Sequence, residues 1–437
     1  MKTFLMGIFL NYIRILAKLQ LLKNKPLIIG LTGSAGKTSA LNAIEAVLKD
    51  LPGKKIKISH KANSEVGLPL NILDITVRDF SIKSWVKISF LALWKLLTNW
   101  QKIDIYVAEM GIDSPYPPKN MDYLLSFLNP KIGIFLNASA VHSETFDHLV
   151  KEEDLKKKAK EIIHLIALEK GKLISSLPEE GIAILNIDDE EVAACSDKAK
   201  VISISSGAGD ITLKSHSPSI SGTNFVFSYQ DKDYQANFKG FVLPKKFGFS
   251  LATAIAVGLS INMEIGEIIG KLEQNLIIPP GRSTLLQGIS GSYILDSSYN
   301  SSLEPAVEMV ELLDNIAKGR KIAILGDMRE MGDEAGEAHQ KLIKEALNKT
   351  DLLLLVGPLM EMYASKNEKI HLFNSAQQAA KFLKPQILKD DCILIKASQN
   401  TLLLEIAAEQ LLQNPTDSSK LCRRGAFWNK QRNKLIS

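Results

Sequence analysis

The segment Thr32-Gly-Ser-Ala-Gly-Lys-Thr38 constrains this chain more than any other. It follows an apolar run from Pro26 to Leu31 that reads as a strand, and it opens a helical stretch from Lys37 to about Lys49. Strand, glycine-rich turn and helix in that order wrap backbone N–H groups and a helix N-terminus around an anion. Thr32, Gly33, Ser34, Ala35 and Gly36 form the expected cradle, Lys37 reaches the β- and γ-phosphates of a nucleotide, and the Thr38 hydroxyl ligates Mg²⁺. Leu31 stands where the commoner form of the motif has its first glycine. A chance glycine-rich turn is the bland alternative. Agreement of strand, turn, Gly-Lys-Thr and helix favours phosphate binding.

A loop of this kind needs a parallel sheet behind it, and the chain supplies one. The runs 103–108, 131–136 and 182–185 are apolar and β-rich, as strands buried on both faces must be. A charged helix is expected from Lys151 to Leu168, and residues 200–243 read as short alternating strands of an antiparallel appendage. Helices are expected at 250–261 and 265–276, and Ile277-Ile-Pro-Pro-Gly281 is a rigid break. Strands at 293–296, 321–325, 352–356 and 392–396 then alternate with helices at 304–316 and 337–347. The fold class predicted is α/β: a central P-loop ATPase domain with a mainly parallel sheet, plus a C-terminal Rossmann-like α/β domain. The expected divisions are an apolar and basic helix at 1–25, the ATP-binding domain at 26–280, a C-terminal domain at 281–413 and a basic tail at 414–437.

Composition narrows the function classes. A net charge of +5 over 437 residues, without a long Lys/Arg block, does not describe a nucleic-acid groove. Cys195, Cys392 and Cys422 are far apart and form no C-x-x-C pair, so neither a disulfide framework nor a zinc site is expected, and a cytoplasmic setting fits. Residues 1–22 are apolar with Lys2, Arg14 and Lys18 among them, and residues 84–101 repeat that character around Trp85, Trp94 and Trp100. The uncharged run between Lys2 and Arg14 is short of the roughly 20 residues that span a bilayer. Two readings stay open: a helix docked on its own protein, or a helix lying at the inner face of a membrane.

The partners of the phosphate loop decide the chemistry. Glu109 ends a strand in Val107-Ala-Glu-Met-Gly111, at the sheet edge where the phosphates lie, and His142 follows another in Asn137-Ala-Ser-Ala-Val-His142. Taken singly, each also reads as a polar strand end or a histidine satisfied locally. With Asn63-Ser-Glu-Val-Gly-Leu-Pro69 between loop and Glu109, the order resembles the Mur ligases of cell-wall synthesis, most of all their D-alanyl-D-alanine-adding branch. The stretch from Glu169 to Gly181 is similar to the one that carries that family's carbamylated lysine, at Lys170. Pro280-Gly-Arg282, Asp296-Ser-Ser-Tyr-Asn300, Gly326-Asp-Met-Arg-Glu-Met-Gly332 and Lys396-Ala-Ser398 extend the match over residues 26–412.

The resemblance implies an ATP-dependent amide ligase of peptidoglycan precursor synthesis. ATP turns a carboxylate into an acyl phosphate, and an amino acid or dipeptide amine displaces the phosphate. It implies two Mg²⁺ ions, one held by Thr38 and Glu109, the other by His142 and carbamylated Lys170. Lys37 and Arg282 act in catalysis, Arg282 and Asn300 approach the nucleotide, and Asn63, Asp327, Met328, Lys396 and Ser398 face the substrates. Three departures bear on the substrate. Residues 1–25 alone precede the first strand where family members carry a UDP-binding domain. The family's Gly-x-His-Asn pattern is reduced to Pro244-Lys-Lys-Phe-Gly248, and Gln399 stands where an arginine is usual. A folylpolyglutamate-synthase-like ligase with another acceptor and a non-catalytic ATP-binding scaffold are the alternatives.

Overall fold

A computed structural model describes the chain except residues 1, 78–81, 140–143, 153, 196–197, 330–334, 399–401 and 437, and the side chains of 2–4, 82–83, 144, 155 and 433–436. Two compact units emerge: residues 1–214, 226–234 and 249–276, and residues 215–225, 235–248 and 277–437.

The first unit is built on β1 (Leu27–Thr32), which is buried along nearly its whole length. Behind α1 (Lys2–Asn24) and β1 come α2 (Lys37–Leu48), β2 (Ile56–Ile58), α3 (Gly67–Ile72), α4 (Ile82–Thr98), β3 (Ile105–Glu109), β4 (Ile132–Phe135), β5 (Ile182–Asn186) and β6 (Lys200–Ser205). The strands pair in the parallel order β2-β3-β1-β4-β5-β6. The chain thus leaves β1 for one side of the sheet before crossing to the other. That reversal opens a crevice at the C-terminal ends of the strands beside β1. Register brings Leu31 opposite Glu109 and Thr32 opposite Phe135, so the phosphate loop and Glu109 share one sheet edge.

The helix that carries Lys170 runs from Leu155 to Ser175 rather than from Lys151 to Leu168. Asp154 sets its start by accepting Lys156 N–H and Lys157 N–H, each at 3.0 Å. Leu173 and Ile174 prolong its buried face, so Lys170 lies inside the helix and not past its end. The strand series continues through β7 (Ile211–Ser219), β8 (Gly222–Tyr229) and β9 (Lys232–Lys239). Gln230 and Asp231 have φ of 50° and 60°, the two-residue hairpin geometry that makes β8 and β9 antiparallel.

The second unit holds β10 (Thr284–Gln287), β11 (Tyr293–Ser297), β12 (Lys321–Gly326), β13 (Leu352–Val356), β14 (Ile370–Phe373) and β15 (Cys392–Lys396) in the order β10-β11-β15-β12-β13-β14. All pairs are parallel but β10 with β11. Helices 303–316 and 335–349 bury apolar faces in one core layer, and helices 376–383 and 405–411 in another. The units divide after Leu276, four residues before the expected boundary at 280, and segments 215–225 and 235–248 group with the second. Residues 414–437 are not a separate tail. Leu421 enters the core, Trp428 packs against it, and Ala426–Ile436 is helical. Few apolar residues announce this in the sequence, because the anchor is an arginine, Arg423, itself 7% exposed.

Candidate active site

The phosphate loop turns on Gly36, whose φ of 79° is left-handed and caps α2. Asn137, just past β4, closes the loop from the facing side. Its Oδ1 accepts Ser34 N–H at 3.1 Å and Ala35 N–H at 2.8 Å, and its Nδ2 donates to Ala35 O at 3.1 Å. Ser34 adds a hydroxyl bond to Ser139 O at 3.2 Å and accepts Ser139 N–H at 2.9 Å. Lys37 folds back over the turn, its Nζ donating to Gly33 O at 2.7 Å and Ser34 O at 3.3 Å. Burial lowers its pKa, against the opposing pull of Glu109 and Asp113. A part-buried ammonium held by two carbonyls is poised for an anionic guest that would satisfy it better.

Glu109 is 7% exposed. Its Oε1 accepts Asn63 Nδ2 at 3.1 Å, Ser59 Oγ accepts its backbone N–H at 2.7 Å, and Gly111 N–H donates to Asn63 O at 2.9 Å. Asn63 therefore orients the carboxylate and leaves Oε2 without a protein donor among the described residues. A hard divalent cation could take such an oxygen, and the half-buried Thr38 at the start of α2 carries another oxygen donor.

Lys170 completes this rim. It is 5% exposed, and its pKa falls to about 7 through burial first and the nearby Lys37 second, with Asp113 and Glu169 opposing. Glu169 is held by Met121 N–H at 2.8 Å and by Lys172 at 2.7 Å. Lys37 is thus within electrostatic reach of Glu109, Asp113 and Lys170, and Asp113 of Lys170. Among the described residues no three His, Cys, Asp or Glu side chains cluster as a metal site. His142 lies outside the described residues, as does Gln399.

In the second unit the Arg282 guanidinium lies 4.7 Å from the centroid of the Tyr299 ring. Lys396 donates to Asn300 O at 2.6 Å and Ser297 Oγ at 3.4 Å. Its pKa drops to about 7 by burial and by Arg282, with Glu308 and Asp296 opposing. Ser398 Oγ donates to Ser301 O at 2.9 Å and accepts Arg329 N–H at 2.9 Å. Both side chains stitch the 297–301 loop to β15, and Asn300, exposed, has its Oδ1 on Ser301 N–H at 2.9 Å. Asp327 accepts Met360 N–H at 2.8 Å, and its carboxyl is raised by burial. Gly357 permits that approach: a Cβ there would stand 2.7 Å from the carboxylate. The Met328 side chain is fully buried in the core. It therefore packs in the core and offers a substrate no exposed surface, contrary to the expectation.

A family model described as the Mur ligase middle domain matches residues 31–241, and one described as the Mur ligase glutamate ligase domain matches residues 281–399. The chain belongs to the Mur ligase family. It is 25% identical over 416 residues to the UDP-N-acetylmuramoyl-tripeptide–D-alanyl-D-alanine ligase of Mycobacterium leprae, covering 87% of this chain and 72% of that one. Against the Escherichia coli enzyme of the same name the figures are 24% over 320 residues, 71% of this chain and 60% of that one. The crystal structure of a MurF ligase from Thermotoga maritima in complex with ADP matches with a TM-score of 0.72 at 23% identity, over 92% of this chain and 83% of that one. At that identity the likeness speaks for the fold.

Three residues of this Mur ligase escaped the sequence reading of its site. Asp113 follows Glu109 by four residues and lies in the field of both buried lysines. Asn137 was legible only as the first residue of the His142 motif. Arg423 was assigned to a basic tail, yet it donates to Glu405 at 2.7 Å, to Tyr299 O at 2.6 Å and to Ser298 O at 3.3 Å. No spacing rule connects it to the 296–300 loop, because 124 residues separate the partners.

Proposed function

We propose that this Mur ligase is an ATP-dependent carboxylate–amine ligase of peptidoglycan precursor assembly, taking the UDP-N-acetylmuramoyl-tripeptide and D-alanyl-D-alanine named for its relatives. The observation that carries the reading is the shared rim: a glycine-turned phosphate loop, a carboxylate oriented by Asn63, and a buried lysine of depressed pKa. Thr32 to Thr38 hold the triphosphate, and Lys37 moves from Gly33 O and Ser34 O to the phosphates. An acceptor carboxylate oxygen attacks the γ-phosphorus and ADP leaves. The amine nitrogen then attacks the acyl carbon, and inorganic phosphate departs with that oxygen.

Thr38 and Glu109 would hold one Mg²⁺, and His142 with carbamylated Lys170 a second. Their chemistry is charge neutralisation on the transferred phosphoryl group. Arg282 and Asn300 are assigned to the nucleotide, and Asn63, Asp327, Lys396 and Ser398 to the substrates. No nucleic acid takes part. The enzyme works in the cytoplasm.

The test pairs ATP with UDP-N-acetylmuramoyl-peptides, folates and simpler carboxylates against D-alanyl-D-alanine or single amino acids. ADP release that requires both a muramoyl peptide and an amine supports the reading. Release with folate and glutamate alone moves the chain to the other branch, and no release across the panel leaves a scaffold.

A further inference from the structure

We propose that α1 and α4 together form a docking surface for an anionic phospholipid bilayer, independent of the ligase reading. The two helices lie side by side and run in the same direction. Phe9 stacks on Trp85, with centroids 5.5 Å apart and planes at 10°. One turn on, the Tyr12 hydroxyl donates to Ser89 O at 3.2 Å. At the far end Lys23 donates to Leu96 O at 3.0 Å and Asn99 O at 2.8 Å.

Each helix is apolar on two faces, and only one is covered. Inward, Ile13 and Ala17 of α1 and Ala92 of α4 are fully buried in the core of the first unit. Outward on α1, Ile8 (53% exposed), Ile15, Leu19 and Leu22 recur at seven-, four- and three-residue spacing. Outward on α4, Val86, Phe90 (75%), Trp94 (64%) and Leu97 do so at four, four and three, and Trp100 just beyond is 75% exposed. Scattered apolar side chains are ordinary on a soluble surface, but two full stripes on neighbouring helices are not.

Charge names the occupant. Neither helix contains an aspartate or glutamate, whereas Lys2, Arg14, Lys18, Lys23, Lys83, Lys87 and Lys95 are all basic. Among the described residues, Arg14, Lys18, Lys23, Lys87 and Lys95 form no ion pair. Lys23 instead sits 3.5 Å above the Trp100 ring, an apolar plate with a cationic rim. Basic residues flanking exposed tryptophans and aliphatics match anionic headgroups above an acyl boundary. Residues 5–24 are long and apolar enough to cross a bilayer. Crossing would pull Ile13 and Ala17 out of the core and strip Gln20, 1% exposed, of its bond to Asn99 O at 3.3 Å. Lying flat keeps both.

The test is sedimentation of the full chain with vesicles of phosphatidylcholine alone, or of phosphatidylcholine and phosphatidylglycerol at three to one. Binding is expected to the anionic vesicles only, reversed by high salt. Phe90→Glu with Trp94→Glu, both exposed, and separately Lys87→Glu with Lys95→Glu, should each weaken it about tenfold or more. Brominated phosphatidylglycerol should quench tryptophan emission in the parent, and Trp94→Phe with Trp100→Phe should lose most of that quenching. Absence of binding to anionic vesicles, or variants that bind like the parent, overturns the proposal. So does attachment that survives carbonate at high pH, which would mean a span. Concentration-dependent dimerisation through the same patch without vesicle binding assigns the face to a second copy and overturns it too.

Discussion

Lys170 is a buried amine whose pKa is lowered by its burial and further by the nearby Lys37. Lys37→Ala should cut ATP-dependent ligation by about a hundredfold or more, the scale of removing one stabiliser of a transferring phosphoryl group. Initial-rate ADP release checks it, and a retained rate contradicts the phosphate-loop reading. Carbamate formation needs the neutral amine. An ordinary lysine is neutral roughly once in a few thousand molecules at pH 7, but one at about 7 is neutral about half the time. The sign follows: because the pKa is lowered, the neutral fraction grows as pH rises through 7 and falls below it. Turnover should therefore drop in CO₂-free buffer, most steeply below pH 7, and return with bicarbonate. Lys170→Ala should lose activity and regain part of it with short carboxylic acids. A CO₂-independent rate, or an unaffected variant, contradicts the carbamate.

Among the elements, what the sequence made legible is what local chemistry dictates. β1, the glycine turn and α2 were legible almost to the residue, since a continuous apolar run, glycine and Lys-Thr all act within a few positions. The helix carrying Lys170 was shifted, because the Asp154 cap, and not the first charged residue, sets its start. The chain from 414 onward read as a tail because its anchor is a buried ion pair, Arg423 with Glu405, which periodicity does not register. Arg423→Ala leaves Glu405 buried without its partner, so stability should fall by about 3–5 kcal/mol. Urea unfolding measures it. A loss below about 1 kcal/mol would mean that the 296–300 loop does not depend on residues past 413.

For the whole molecule, the α/β class and the sequence of its two sheets follow from continuous apolar strands alternating with helices, and the family models match both regions. Less of the site was legible than of the fold. Asn137 and Arg423 act through contacts, and Asp113 through its charge, across tens to more than a hundred residues, and only tertiary structure brings them to the rim or the loop. The proposed chemistry passes one oxygen from an acceptor carboxylate to phosphate. With ¹⁸O in the terminal carboxylate of UDP-N-acetylmuramoyl-tripeptide, plus ATP and D-alanyl-D-alanine, the released phosphate should carry one labelled oxygen per ligation. Unlabelled phosphate, or ADP formed at the same rate without the acceptor, would contradict it.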